Sequence, residues 1–133
     1  MLSLAFPKKQ PRLQGKEKYG NQKTRNGKYL MDSRAESGLY SHLQMLERMG
    51  IVRDIVVKPR VYLTAAEILY IPDFGATECA TDVFWHHEMK GFETDVWKIK
   101  KRLYLHYGPA PLRVWKPGSR GGPVPVEDIV PLR

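Results

Sequence analysis

Asp73, Glu88 and Lys90 are the residues whose types and spacing could do chemistry in this chain. Two carboxylates on one face of a sheet make a hard-oxygen site that suits Mg²⁺ or Mn²⁺, with water and phosphate oxygens filling the remaining positions. An ion held there polarises a phosphodiester and lowers the pKa of a bound water. A lysine beside it orients that water or stabilises the charge developing on phosphate. The ion's own charge keeps both acids ionised. The bland reading of the same residues is a Glu–Lys pair on an edge strand and an Asp next to a turn, and for the tripeptide E-x-K alone that reading prevails.

Whether these groups meet depends on the strand that carries them. In "FWHHEMKG", Phe84 to Gly91, side chains alternate between the two faces of a strand. Phe84, His86, Glu88 and Lys90 share one face; Val83, Trp85, His87 and Met89 share the other. The two histidines therefore point apart and cannot hold one ion together. The zinc-protease spacing H-E-x-x-H also fails, because position 91 is Gly. A hairpin pairing Asp73 with Glu88 puts its turn between Ala80 and Thr81 and pairs Glu78 with Val83. Both carboxylates then lie on one face.

The elements around this hairpin follow from pattern. Residues 1–18 are Pro- and Lys-rich without periodicity and read as a mobile arm. Asn26-Gly27 predicts a two-residue hairpin turn between short strands near 20–25 and 28–31. A helix follows, with Ser33 as N-cap, Gly50 as its stop, and a buried stripe of Ala35, Leu39, Leu43, Leu46 and Met49. "IVRDIVVKPRVYLT" reads as a strand with a bend at Pro59, and "EILYIPDFGATE" and "TDVFWHHEMK" as two more. Thr94 caps a second helix whose inner face is predicted as Val96, Ile99, Leu103 and Tyr107. "PLRVW" is a last strand, and the Pro- and Gly-rich residues 117–133 read as an extended or disordered tail. The order of hairpin, helix, three strands, helix and strand gives an α/β (α+β) sandwich with helices flanking a mixed central sheet. The domain so defined spans 19–116.

Glu36 has two readings. "SRAE" is a capping box, in which the N3 glutamate bonds back to the N-cap amide. Alternatively its carboxylate joins Asp73 at the site. The distance between the two acids decides.

The chain has 133 residues, one cysteine and a net charge of +8. One cysteine excludes an intrachain disulfide and a thiolate zinc cluster. The apolar runs are too short to cross a bilayer, and a cytoplasmic location is the simplest expectation. Residues 1–30 hold eight cations against one acid, so most of the excess charge sits there. Such an arm suits a polyanion, nucleic acid before membrane. Lys16, Lys18, Lys23, Arg25 and Lys28, with Lys98, Lys101 and Arg102 on the second helix, are the expected phosphate contacts.

"IPDF" followed by "EMK" resembles the PD-(D/E)xK nuclease pattern, found in restriction endonucleases, Holliday junction resolvases and transposon end-cutting endonucleases. The wider text, from "KYGNQKTRNGKYLMDSRAE" to "TDVWKIKKRLYLHYG", looks like a phage and prophage branch of that superfamily and covers about residues 18–116. The resemblance implies a restriction-endonuclease-like α-β-β-β-α-β core and a Mg²⁺-dependent DNA endonuclease. It implies Asp73, Glu88 and Glu36 as metal-binding acids and Lys90 as the catalytic lysine. "HHEM" departs from that branch, which has apolar residues before the acid. A phage setting would suit branched or junction DNA, and junction resolution would require a homodimer. The alternative is a DNA-binding or architectural protein that keeps the fold without turnover. An RNA-binding protein is disfavoured, because two acids facing phosphate gain a pure binder nothing.

Overall fold

A mixed five-stranded sheet, whose strands in spatial order are Val52–Val57 (β3), Phe74–Glu78 (β6), Val83–Met89 (β7), Leu112–Pro117 (β8) and Pro123–Ile129 (β9), carries one helix on each face. The computed structural model describes residues 23–27, 29–31 and 33–132. The basic arm, with Lys16, Lys18 and Lys28, lies outside the described residues.

β1 (Thr24–Asn26) and β2 (Tyr29–Met31) form the expected hairpin, one position late. Asn26 pairs with Tyr29, so the loop begins at Gly27, whose φ of 60° is the left-handed conformation glycine tolerates. Asn26 is used elsewhere: its Nδ2 donates to the Ser37 carbonyl, Ser37 Oγ and Ser41 Oγ, and so clamps the hairpin onto the first helix.

That helix, α1 (Arg34–Arg48), starts where the cap predicts, with the Glu36 amide donating to Ser33 Oγ at 3.0 Å. It stops at Gly50, φ 76°, through paired bonds from Gly50 N–H to Glu47 O and Ile51 N–H to Leu46 O. Leu39 and Leu43 are fully buried against Met31, Phe74, Met89 and Trp115. Met49, expected in the stripe, is exposed, because the chain has already turned away from the sheet at the cap.

β3 (Val52–Val57) pairs antiparallel with β6 (Phe74–Glu78), with a bulge between Arg53 and Val56 where Asp54 takes a φ of 55°. Two expected strands are each broken at proline. Beyond Lys58-Pro59 lies β4 (Val61–Tyr62), and before Pro72 lies β5 (Leu69–Tyr70); these two pair with each other in a small separate sheet. β6 pairs antiparallel with β7 (Val83–Met89), with Phe74 opposite His87 and Glu78 opposite Val83. This is the predicted register.

α2 (Asp95–Tyr107), capped by Thr94 Oγ on the Trp97 amide at 3.0 Å, carries the chain to β8 (Leu112–Pro117), parallel to β7. The inner face of α2 corrects the expectation. Trp97 and Tyr104 are buried, with Leu103 packed beside them, whereas Val96, Ile99 and Tyr107 are exposed, Ile99 by 54%. The two large aromatics remove more apolar area from water than the aliphatic stripe would. Tyr104 also has polar partners inside, so its hydroxyl costs nothing to bury.

The expected C-terminal tail is instead β9 (Pro123–Ile129), antiparallel to β8 and the last strand of the sheet. Its prolines are compatible with an edge, where a missing N–H is harmless. Arg113 reaches across to both oxygens of Asp128, and Ile129 is buried. No helix among the described residues is long and apolar enough to cross a membrane.

Candidate active site

The hairpin register sets a row of polar residues across three strands. One step beyond the row Val57, Phe74, His87 come Lys58, Asp73 and Glu88. The backbone confirms the first contact, since Lys58 N–H donates to the Asp73 carbonyl at 2.9 Å. Pro72 precedes Asp73, so the chain leaves the ladder there and turns its carboxylate inward. Asp73 Oδ2 accepts from the Met89 amide at 2.8 Å, tying it to the end of β7.

Glu88 is 5% exposed and has a partner at each oxygen. Tyr70 OH donates to Oε1 at 2.7 Å, and Lys90 Nζ lies 3.2 Å from Oε2. Lys90 also sits over the Trp97 ring at 4.9 Å, which fixes its ammonium between an acid and an aromatic face. Glu36 reaches the same place from α1. It is 4% exposed, and Lys58 Nζ lies 3.2 Å from both its oxygens. Its carboxyl lies close enough to that of Asp73 to raise the Asp73 pKa. Ser33 Oγ accepts from the Glu36 amide, while the Glu36 carboxylate pairs with Lys58 Nζ.

Crowding sets the electrostatics. Burial, then the Glu88 charge and the neighbouring Glu36 carboxyl, push the Asp73 carboxyl well above the usual carboxylate range. Burial also raises Glu88, against the pull of Lys90 and Tyr70. Burial and the Glu88 charge raise the Tyr70 phenol, which keeps it a donor.

The donor chemistry fits a hard divalent cation. All three acids offer oxygen, and each Glu88 oxygen with one hydrogen bond keeps lone-pair capacity. As the side chains stand, however, no group of three or more His, Cys, Asp or Glu among the described residues is arranged to hold an ion. Instead Lys58 pairs with Glu36 and Lys90 with Glu88.

Asp73, Glu88, Lys90 and Glu36 thus stand near one another, without the ion-holding arrangement that the sequence reading expects. The helical cations do not join them. Lys98 and Arg102 are exposed and line a groove towards β9 with Glu127 and Asp128. Lys101 is held there by Glu93 at 3.1 Å and Glu127 at 3.0 Å. Lys23 and Arg25 are exposed at the β1–β2 hairpin. Lys100, which sequence reasoning passed over, lines a cavity of about 510 Å³ together with Glu88, Lys90, Tyr70 and Arg60. Lys58 and Tyr70 were also missed. The signals were there: Lys58 stands one step past the strand paired with "PDF", and Tyr70 three residues before Asp73.

The histidines are sheet residues, one on each face. Tyr104 OH donates to the Ala110 carbonyl at 2.5 Å, so His86 Nδ1, 2.7 Å from the phenol oxygen, must be the donor to it. On the other face His87 Nδ1 accepts from Trp115 Nε1 at 3.0 Å. Burial lowers His86 to about 4 and His87 to about 3, so both are neutral near pH 7.

Compared with known proteins, the sequence matches no family model and no curated protein.

Proposed function

We propose that this protein is a metal-dependent DNA endonuclease of the PD-(D/E)xK type. The observation that carries the reading is the convergence of Asp73, Glu88 and Glu36 from three separate elements, with Lys90 fixed beside them. Two buried acids, Glu36 and Glu88, with a half-buried Asp73 lie near enough to raise the pKa values of Asp73 and Glu88; such crowding costs stability and is frequent at catalytic sites. Mg²⁺ or Mn²⁺, when bound, would polarise the phosphodiester and activate a water. Asp73, Glu88 and Glu36 would hold the ion, which requires Asp73 to lose its proton and Lys58 to release Glu36. Tyr70 keeps Glu88 oriented. Lys90, once Glu88 turns to the ion, is free to face the phosphate and steady the attacking water. The exposed cations Lys23 and Arg25, with the basic arm, would bind the DNA backbone without reading bases.

A second reading is a DNA-binding protein without turnover. It is favoured by one observation: Glu36 and Glu88 are each held by a lysine. Incubating supercoiled plasmid and a four-way junction with protein, in Mg²⁺, Mn²⁺ or chelator, separates the two. The nuclease reading expects metal-dependent nicking that Asp73→Ala abolishes while DNA binding persists. Binding without nicking in either metal would leave the second reading.

A further inference from the structure

The cavity beside Glu88 lies between β5 and the first turns of α2. Its walls carry three cations, Arg60, Lys90 and Lys100, against a single acid, Glu88, which already has Tyr70 and Lys90 as partners. Lys90 and Lys100 stand close enough for their charges to interact, and Glu88 offsets part of that repulsion. The remaining wall is apolar and aromatic apart from Thr94. Ile71 and Val96 are 40% and 41% exposed, while Leu69, Tyr70 and Trp97 are buried behind them.

Cations beside an apolar wall describe a ligand with a phosphate and a flat, weakly polar body. About 510 Å³ falls in the ~300–1,000 Å³ range of small-ligand sites. One nucleotide fits that range; a stacked duplex does not. Glu88 is also nearly inaccessible, so a phosphate on the convex surface of an intact duplex cannot approach it without the strand entering the cavity.

We infer that this cavity receives one unpaired nucleotide adjoining the cleaved phosphate, so that the substrate is DNA with a base already out of the stack, at a bulge, flap or branch. Lys100 and Arg60 hold its phosphate, and Ile71 and Val96 pack against its base. The assignment of the cleaved phosphate rests on the nuclease reading. Extruding a paired base costs a few kcal/mol, and an unpaired one avoids that cost.

Binding is measured in chelator, so that cutting plays no part. The probes are a fully paired duplex, the same duplex with a single 2-aminopurine bulge, and the same bulge made abasic. Binding is expected to change the 2-aminopurine emission and to favour the bulge over the paired duplex by roughly tenfold or more. The abasic bulge should lose most of that preference. Lys100→Gln and Arg60→Gln should each lower bulge affinity by about three- to tenfold while barely changing duplex affinity. Val96→Trp, which fills the cavity mouth from an exposed position, should erase the preference. Equal affinity for all three DNAs, or equal weakening on all three by the variants, overturns the proposal. A bulge preference in chelator with no cutting in Mg²⁺ or Mn²⁺ keeps the cavity assignment and removes the nuclease reading. Cutting of bulged and paired DNA at equal rates does the reverse.

Discussion

β7 buries two kinds of ionisable group, and they are handled in opposite ways. His86 and His87 point to opposite faces, and each has its own hydrogen-bond partner, Tyr104 or Trp115. Glu88, the next residue, is buried where the Asp73 and Glu36 carboxyls are near enough for their charges to interact. Paired singly, a buried polar group is part of the packing. Crowded with like charges, it costs stability that packing alone gives no reason to retain. The histidines attract attention in the sequence, but in the proposed nuclease reading the acids, not the histidines, carry the chemistry.

The largest effect that tests this contrast is on rate. Asp73→Asn should lower metal-dependent nicking by about 10³-fold or more, whereas His87→Phe should leave the nicking rate within about twofold. A large rate loss in the histidine variant would erase the distinction between the two groups.

The next effect is on pH dependence. The folded values of the histidines lie below the ordinary 6.5, so the unfolded chain binds more protons between about 6.5 and about 4 for His86, or about 3 for His87. Stability should therefore fall as pH drops through that window, by on the order of 3 kcal/mol for His86 and 5 kcal/mol for His87 at full effect. Asp73 and Glu88 have raised values, so there the folded chain binds more protons and stability falls as pH rises above the ordinary carboxylate range. Urea unfolding from pH 3 to 8 should show the two limbs. In Asp73→Asn, which removes the titrating acid, the fold should be about 1–2 kcal/mol more stable at pH 7 than the native chain, with the gain shrinking in acid.

Smaller effects separate the partners. His87→Phe leaves Trp115 Nε1 unpaired in the core and should cost about 1–3 kcal/mol in urea. Ser33→Ala removes only the α1 cap and should cost about 1 kcal/mol with nicking unchanged. Loss of nicking in Ser33→Ala would mean that the cap positions Glu36.

Much of the site was legible because a strand's twofold alternation is rigid. Once Asp73 was set opposite Glu88, the turn and the separation of the two histidines followed, and the ladder agrees at Phe74 with His87 and Glu78 with Val83. α2 was less legible. Val96, Ile99, Leu103 and Tyr107 have helical spacing, but two aromatics on another stripe captured the core and turned Lys100 towards Glu88. β9 was hidden by composition, since prolines and glycines suggest a loose end until Arg113–Asp128 and Ile129 anchor the strand. Lys58 was obscured by its conformation. A lysine before proline with a φ of 54° is uncommon, and only tertiary contacts show that its ammonium serves Glu36.

The sheet's two rims share a property with consequences for assembly. On one side Pro123 and Pro125 interrupt the run of amide donors; on the other, the bulge at Asp54 breaks the flat template. Neither rim invites another strand to dock and extend the ladder. The fold is thereby guarded against stacking into fibrils, and if two copies associate to cut opposed strands, they would do so through helix or loop surfaces rather than as one continuous β-layer.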